Sequence, residues 1–308
     1  MKPLEVRRLS VEYLTTRGWI RVVDDIDIDI DERGEILAIV GESGCGKSTL
    51  GLAIAGLLPP NARIAGGYIR IFGKDAATNP VKVAVVFQDA LASLNPLLTI
   101  GEQIAEIYLH HFKMTRKEAF EETRKRLKDV GLPDSFVDRY PHELSGGQRQ
   151  RVLIAMTIAM EPELIVADEP TTALDVTIQA KVLLLLKDIV KKRGIPMLYI
   201  THDLALASHI ADRVAIMYAG QVVESSDRYS IFREPKHPYT RALLSSVPRI
   251  DTDIDELYII NGEPPLPGSF PKGCRFSPRC PIAFERCFNE EPTLKSIAKS
   301  YIRCHLYE

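Results

Sequence analysis

The 308-residue sequence predicts an α/β protein with a mostly parallel central sheet and helices on both faces. Strand and helix patterns alternate between residues 163 and 218, and the apolar run at 36–40 is uninterrupted, as in a central strand covered on both faces. That run ends in the glycine-rich loop 41–49 (GESGCGKST), which leads into a helical pattern. A strand, such a loop and a helix in this order are typical of a site that binds phosphate groups.

The glycines of this loop allow a tight turn whose backbone N–H groups face inwards, so the loop and the following helix can cradle a polyphosphate. Lys47 supplies a positive charge, and Ser48 supplies a hydroxyl group for Mg²⁺. An ordinary glycine turn is the alternative. The loop residues expected to bind the phosphates are Gly41, Ser43, Gly44, Cys45, Gly46, Lys47, Ser48 and Thr49.

The overall charge gives no sign of a nucleic-acid or anionic-membrane partner, because 39 basic and 41 acidic residues leave a net charge of −2. The first residues contain no apolar signal segment, and no stretch of about 18 uninterrupted apolar residues occurs. We therefore expect a soluble, cytoplasmic chain.

The first part of the chain predicts β structure. The segment 20–30 alternates isoleucine with aspartate, as a half-buried strand does, and antiparallel pairing with the segment before it is plausible from the pattern. Strands are expected at 4–13, 20–30, 68–72 and 81–87, and turns at 66–67 and 73–75.

The middle of the chain predicts a helical insert followed by alternating strands and helices. Thr115 and Glu118 have the spacing of a capping box, and Gly131 is expected to close that helix. Helical patterns are expected at 99–130, at 146–160, from Asp175 to Arg193 with Gly194 closing it, and from Asp203 to Ala211; strands are expected at 163–167, 197–200 and 213–218.

The chain after residue 226 is rich in proline and carries four cysteines, Cys274, Cys280, Cys287 and Cys304, spaced C-x5-C-x6-C-x16-C. In a cytoplasmic protein such a cluster favours metal binding over disulfides. Structural zinc usually includes one tight cysteine pair, whereas iron–sulfur ligation tolerates looser spacing, and free thiols are a further alternative. Since this tail has few long elements, we expect something other than a core to order it.

Five motifs downstream of the loop resemble those of the nucleotide-binding subunits of ABC transporters, and the resemblance covers the whole chain. They are the Q-loop at Gln88, the signature LSGGQ at 144–148, the Walker B strand at 163–169, the D-loop at 173–175 and the switch histidine at His202. The resemblance implies an ABC-type P-loop ATPase fold with an antiparallel β subdomain, a helical subdomain insert and a Pro/Cys-rich C-terminal extension.

The resemblance also implies the roles of single residues. Glu169 would orient and deprotonate the attacking water, Asp168 would hold Mg²⁺, and His202 would contact the γ-phosphate. An acidic pair that ends a buried strand can instead cap the next segment, and a lone histidine there is often structural. The implied catalytic residues are Glu169, His202, Lys47 and Gln88; the implied magnesium ligands are Ser48, Gln88 and Asp168.

In the family, two such domains meet head to tail, and the signature of one closes on the ATP of the other. Ser145, Gly146, Gly147 and Gln148 would then contact the partner's nucleotide, since a hydroxyl and a helix N-terminus suit an anionic phosphate. Asp175 would lie in the dimer interface. Tyr13, in the position of the family's A-loop aromatic, would stack on adenine, although an aromatic at a strand end more often packs.

Three stretches resemble the peptide-importer group of this family, which handles oligopeptides, dipeptides or nickel. They are 87–103, 237–244 (HPYTRALL) and 273–281 (GCRFSPRCP). The first stretch falls in the insert that, in the family, grips a coupling helix of the permease. Its apolar residues could form the groove for that helix, or they could instead belong to the insert's own core. They are Leu94, Leu97, Leu98 and Ile100. The third implies a 4Fe-4S cluster on the four cysteines, with zinc as the alternative.

We therefore expect the ATP-hydrolysing motor subunit of an ABC importer for di- or oligopeptides, on the cytoplasmic face of the cell membrane. Its expected partners are a second, homologous ATPase subunit, two permease subunits and, indirectly, an external peptide-binding protein. The expected division is a nucleotide-binding domain at 1–230, with its insert at about 92–160, and an extension at 231–308. The alternative is a soluble ABC ATPase that acts on nucleic acid or ribosomes.

Overall fold

The structure is a computed structural model that describes residues 1–79, 81–87, 92–172, 174–246, 260–298 and 300–308. The chain divides into two compact units. The first contains Met1–Asp31, Ile36–Asn79 and Tyr199–Glu308, and the second contains Glu32–Glu35 and Pro80–Leu198.

The described strands are β1 (Leu4–Thr15), β2 (Gly18–Ile30), β3 (Ile36–Val40), β4 (Ala62–Ile71), β5 (Lys74–Asp75), β6 (Val83–Val86), β7 (Leu164–Asp168), β8 (Met197–Thr201), β9 (Arg213–Tyr218), β10 (Gln221–Asp227), β11 (Leu294–Ile297) and β12 (Ser300–Arg303). The described α-helices are α1 (Lys47–Ala55), α2 (Ile100–His111), α3 (Arg116–Asp129), α4 (Gly146–Ala159), α5 (Val176–Arg193), α6 (Leu204–Ile210), α7 (Arg228–Arg233), α8 (Pro238–Ser245) and α9 (Glu285–Asn289).

The first unit contains an antiparallel sheet of order β2-β1-β4-β5, which confirms the predicted antiparallel pairing of the two N-terminal strands. Of the two turns predicted near it, the one at 66–67 is wrong, whereas the one at 73–75 is confirmed at Gly73, which lies in the turn between β4 and β5. Gly66 and Gly67 lie inside β4, beside a register shift between Arg7 and Ser10 of β1, so they form a bulge rather than a turn. Lys74 and Asp75 pair with β4 as the short strand β5.

The second sheet of this unit follows the order β11-β12-β10-β9-β3-β8. Strand β3 is buried along its whole length and pairs in parallel with β9, as its uninterrupted apolar sequence predicts. The C-terminal extension continues the sheet, because β12 pairs antiparallel with β10. The extension also contributes Tyr239 and Phe276 to the fully buried core. The described part of the extension therefore shares the core of the first unit, a contribution that its proline-rich sequence did not reveal.

The second unit contains the parallel pair β6–β7 and the helices α2 to α5. The capping box predicted at Thr115 is confirmed, and Thr99 and Ser145 start α2 and α4 with boxes of the same kind. Asp175 caps α5, and Gly194 closes it in a left-handed conformation, as predicted. The helical pattern expected at 99–130 forms two helices, α2 and α3, and the second begins at the boundary predicted from Thr115.

Candidate functional site

The glycine-rich loop in the first unit has the backbone that a phosphate cradle requires. Gly44 and Gly46 adopt φ values of +80° and +102°, a region that side chains other than glycine rarely enter. A Cβ atom on Gly41 would overlap the carbonyl oxygen of Met217, so this glycine lets the loop lie against the end of β9. The backbone N–H of Gly220 donates to the carbonyl of Cys45 at 2.9 Å, which holds the loop from the other side.

Lys47 lies at the centre of this loop. Its side chain is only 5% exposed, and its Nζ donates to the carbonyl oxygens of Gly41 at 2.8 Å and Glu42 at 2.9 Å. Helix α1 begins after Gly46 with no side-chain cap. The first N–H groups of α1 and the lysine charge therefore form an arrangement that suits an anion.

The two hydroxyl-bearing residues that follow Lys47 occupy different positions. Ser48 is exposed, whereas Thr49 is half-buried and its Oγ1 lies 3.4 Å from the hydroxyl of Tyr13 on β1. Tyr13 is thus beside the start of α1, where an aromatic ring can contact a nucleotide that the loop holds. His202, which is exposed, comes directly after β8, the neighbour of β3 in the sheet.

The acidic pair lies in the second unit, at the end of the buried strand β7. Asp168 is the last residue of β7, and Glu169 follows it with φ +46°, a strained conformation for a residue other than glycine. The hydroxyl of Thr172 donates to both the backbone carbonyl and the carboxylate of Glu169, at 3.0 and 3.2 Å. The turn therefore fixes the direction of this carboxylate.

The signature residues form the start of α4, also in the second unit. Ser145 Oγ accepts from the Gln148 N–H at 3.4 Å, and Gln148 Oε1 accepts from the Ser145 N–H at 2.9 Å. A Cβ atom on Gly147 would come within 2.5 Å of Ile178 Cγ2 on α5. Gly147 is thus needed for close helix packing, a reason that the sequence did not reveal.

Two of the predicted positions fall outside what can be described. Gln88 and the D-loop residue Ala173 lie outside the described residues. Of the D-loop, Asp175 is described, and its carboxylate accepts from the Ile178 N–H at 3.0 Å as the N-cap of α5. The structure thus brings Asp175 and the signature glycines to neighbouring helix starts.

The four C-terminal cysteines line one cavity in the first unit. All are free thiols, and burial together with the charges of the other three thiols raises the pKa of Cys274 to about 12. Burial also raises the pKa of Cys280 and of Cys304. Among the described residues, no three His, Cys, Asp or Glu side chains are arranged to hold a metal ion. The cavity nevertheless collects the four thiols that the sequence singled out.

The HPYTRALL stretch supports the phosphate loop, which sequence reasoning missed. His237 is buried and caps α8 by accepting from the Tyr239 N–H at 3.0 Å, and burial lowers the pKa of His237 to about 3. The Tyr239 hydroxyl then accepts from the Glu42 N–H at 3.2 Å. A partner 197 residues away cannot be read from a sequence pattern.

Two family models match the chain. The model described as ABC transporter matches residues 23–172, and the model described as oligopeptide/dipeptide transporter, C-terminal region, matches residues 223–287.

The chain is similar to several named proteins over nearly its whole length. It is 45% identical to the oligopeptide transport ATP-binding protein AppD of Bacillus subtilis, over 99% of this chain and 97% of that protein. It is 45% identical to the dipeptide transport ATP-binding protein DppD of Haemophilus influenzae, over 99% and 96%, and 42% identical to the oligopeptide transport ATP-binding protein OppD of Salmonella typhimurium, over 97% and 92%.

The fold is similar to solved structures of ATP-binding cassettes. The dimeric, post-hydrolysis structure of MJ0796 bound to ADP and Pi is 28% identical with a TM-score of 0.63, over 73% of this chain and 98% of that one. CbiO1 from Clostridium perfringens, part of the transporter complex cbiONQ, is 28% identical with a TM-score of 0.67, over 76% and 91%. Within the described residues, every helix is too short or too polar to cross a membrane.

Proposed function

The chain belongs to the ABC transporter family, as an ATP-binding ATPase subunit of its oligopeptide/dipeptide group, and on that premise we propose how its residues bind and hydrolyse ATP. The observation that carries the proposal is the uncapped start of α1, whose first residue, Lys47, is buried with its side chain against the preceding loop. Such an arrangement is ready for a triphosphate without any change of backbone.

In this proposal the phosphates lie on the loop residues 41–49, with Lys47 beside the β- and γ-phosphates and Ser48 on Mg²⁺. Tyr13 stacks on adenine, and its position beside Thr49 supports this role. Gln88 and Asp168 complete the magnesium ligands. His202 contacts the γ-phosphate, and its place after β8 supports that role because β8 is the neighbour of β3, which leads into the loop.

Glu169 is the proposed general base for the attacking water. Its left-handed backbone and its hydrogen bond from Thr172 support this role, since strain of this kind persists where the surrounding structure holds a side chain for a task. The water must lose a proton as it attacks the γ-phosphate, and a carboxylate within hydrogen-bond reach can accept it.

Ser145, Gly146, Gly147 and Gln148 are proposed to contact the ATP that a second ATPase subunit holds, with Asp175 at the same interface. The dimeric structure of MJ0796 bound to ADP and Pi supports the pairing of two ATP-binding subunits. ATP binding would close the pair and hydrolysis would open it, so that the motion is passed to a permease. The peptide group typically uses two different ATPases, which favours a homologous, non-identical partner.

The permease contact is proposed to include the segment before α2. The structure buries Leu94 and Ile100 but leaves Leu97 83% exposed, so Leu97 is available to a coupling helix. The buried Gln103 holds this segment through its Nε2, which donates to the carbonyls of Asn95 and Leu98 at 3.0 Å each. The chain would then act at the cytoplasmic face of the membrane through two permease subunits, on peptides delivered by an external binding protein.

The import of di- or oligopeptides is supported by the names of the relatives, none of which concerns nucleic acid or ribosomes. We also propose a nucleotide-binding domain at 1–230, with its helical insert at about 92–160, and an extension at 231–308. Extra strands β11 and β12 and the C-terminal family match support a separate role for the extension.

The substitution Glu169→Gln tests the ATPase proposal. The variant should bind ATP with wild-type affinity but hydrolyse it about 10²–10⁴-fold more slowly, because the amide cannot accept the proton. It should also remain associated with its partner for longer in ATP, which size-exclusion chromatography would show. Glu163→Gln, directly before the first residue of β7, is the matched control. Near-normal turnover in Glu169→Gln would refute the general-base role.

We further propose that the extension holds a 4Fe-4S cluster on Cys274, Cys280, Cys287 and Cys304. The shared cavity supports this, because it brings the four cysteines together, and a positive centre there would stabilise the thiolate form that burial otherwise disfavours. The cluster would fix the extension structurally. Protein purified without oxygen should contain iron and acid-labile sulfide, and Cys287→Ser should lose both while Cys45→Ser keeps them. Stoichiometric zinc without iron would rule out the cluster.

A further inference from the structure

The extension makes a direct ion pair with the phosphate loop, within the first unit. Arg279 donates from Nη1 to Glu42 Oε2 at 2.8 Å and from Nη2 to Glu42 Oε1 at 3.0 Å. The Arg279 side chain is 5% exposed and that of Glu42 is 24% exposed. A two-point contact in this setting is among the stronger and more directional ion pairs that proteins form.

Arg279 is held in place by its own surroundings. Its Nη1 also donates to the hydroxyl of Tyr218 at 3.3 Å, and its Nε donates to the carbonyl of Asn261 at 3.1 Å. Burial lowers the pKa of Arg279, but the hydrogen bonds to Glu42 and Tyr218 outweigh it and raise the pKa above its ordinary value. The guanidinium group therefore stays charged and fixed beside the loop.

A second contact from the extension reaches the same loop indirectly. Arg275 donates to the carbonyl of Ala219 and pairs with Asp24, and the next residue, Gly220, donates its N–H to the carbonyl of Cys45. The extension thus contacts Glu42 of the loop directly and is linked to Cys45 through Ala219 and Gly220. Arg275 and Arg279 each adjoin one of the clustered cysteines in the sequence, Cys274 and Cys280.

We propose that Arg279 is a positioning residue for ATP binding, which acts through Glu42. The loop that must accept a triphosphate carries an acidic side chain at its second position, and that charge, if unpaired, would repel the ligand. Arg279 neutralises Glu42 and fixes its carboxylate at two points, while the carbonyl of the same residue accepts from Lys47 Nζ. This inference rests on the proposed ATP site and adds the C-terminal extension to its machinery.

The test compares ATP affinity in Arg279→Met with that in a matched variant, Arg303→Met. Arg303 is equally buried, at 5% exposure, adjoins Cys304 and pairs with Asp25 at 3.2 Å. Within the described part of the chain, no hydrogen bond or ion pair joins its side chain to residues 41–49. Fluorescent ATP titrations at concentrations that keep the chain monomeric should give a dissociation constant about tenfold higher for Arg279→Met, the order of one partly screened charge. Arg303→Met should stay within about twofold of wild type, although both variants lower the melting temperature.

A charge rescue separates positioning from general loss of structure. In the double variant Glu42→Gln/Arg279→Met the unpaired carboxylate is gone, so most of the lost ATP affinity should return even though the extension is no better anchored. Arg279→Lys, which keeps the charge but only one contact, should fall between wild type and Arg279→Met. In ATPase assays the loss should fall on KM rather than on kcat.

Three results would overturn the inference: wild-type affinity in Arg279→Met, an equal loss in Arg303→Met, or no recovery in the double variant. If the wild-type chain itself failed to bind ATP, the proposed function would fail instead, so the two failures can be told apart. Iron and zinc contents measured on each preparation would show that the variants carry the same metal load.

Discussion

Two helix starts in this molecule are built for anions in opposite ways. Helix α1 begins after Gly46 with no side-chain cap, whereas α4 begins with a complete capping box between Ser145 and Gln148. An uncapped start leaves its N–H groups for a ligand, and a capped start already has partners for two of them. The start of α1 is therefore open to an anion, whereas the backbone N–H groups bonded in the signature turn already have partners within the chain.

The difference agrees with the proposal that the chain carries both motifs but shares each nucleotide site with a second subunit. The phosphate loop brings its own cation, Lys47, while no basic residue follows Ser145 before Arg149. An anion at the signature turn would rely on the serine hydroxyl and backbone N–H groups, a weaker set. Such a turn suits the second contact on a nucleotide that another subunit already holds.

The two sites also differ in their support. The phosphate loop is held by residues distant in sequence, through Tyr239 and Arg279. The signature turn is held by its own capping box and by the packing of Gly147 against Ile178. Changes in the extension should thus affect the first site and spare the second.

Of the three effects that test the contrast between the two helix starts, the largest is expected at Lys47. In Lys47→Ala the loop loses its own positive charge, so ATP should bind about 100-fold more weakly, the order of a charge-assisted contact to phosphate. Titration of the monomeric chain with a fluorescent ATP analogue measures this. Lys117→Ala, an exposed lysine on α3, is the control. Tight binding in Lys47→Ala would remove the contrast between the two helix starts.

The second prediction tests the support that the extension gives to the phosphate loop and not to the signature turn. His237 is neutral in the folded chain, with its pKa lowered by burial to about 3 from an ordinary value of 6.5. The unfolded chain takes up a proton on this residue below pH 6.5, so the stability that neutral His237 provides is lost as the pH falls from 6.5 towards 3. His237→Asn keeps an N-cap acceptor but does not titrate.

Urea unfolding at pH 7 and pH 5 measures the consequence. The wild type should lose about 2 kcal/mol more than His237→Asn between the two pH values, since about 1.5 pKa units of this interval act at 1.36 kcal/mol each. Equal losses in the two proteins would show that His237 is accessible to protons in the folded state. The cap of α8, and with it the contact between Tyr239 and the phosphate loop, would then be less stable than the structure indicates.

Much of the architecture could be predicted because its signals are local. The apolar run of β3, the capping box at Thr115 and the close of α5 at Gly194 each depend on residues within a few positions of one another. The phosphate loop could be predicted for the same reason, because its signal is also local. Its identity follows from a strand, glycines and a lysine in fixed order.

The parts that could not be predicted depend on distant partners. The two glycines in β4 look like a turn because a bulge and a turn favour the same residue, and only pairing with β1 distinguishes them. The proline-rich tail lacks periodicity, yet Tyr239 and Phe276 complete the core with Tyr218. The pair formed by Arg279 and Glu42 joins residues 237 positions apart, and no spacing rule reaches that far.

The smallest of the three effects is expected at Ser145, where the two helix starts can be compared most directly. Ser145→Ala removes the hydroxyl proposed to contact the partner's nucleotide, so ATP hydrolysis by the assembled pair should fall about tenfold, the order of one hydrogen bond to a charged group. ATP affinity of the monomeric chain should stay within about twofold, since the phosphate loop is untouched. Steady-state hydrolysis and monomer titration measure the two quantities.

Thr115→Ala is the matched control, because Thr115 caps α3 with the same box geometry as Ser145 caps α4. Both substitutions remove one capping acceptor, and each should cost about 1 kcal/mol of unfolding free energy. Only Ser145→Ala should slow hydrolysis, since its hydroxyl has a second use that Thr115 lacks. If both variants slowed hydrolysis equally, the serine would serve α4 alone, and the second anion site would have to lie elsewhere on the chain.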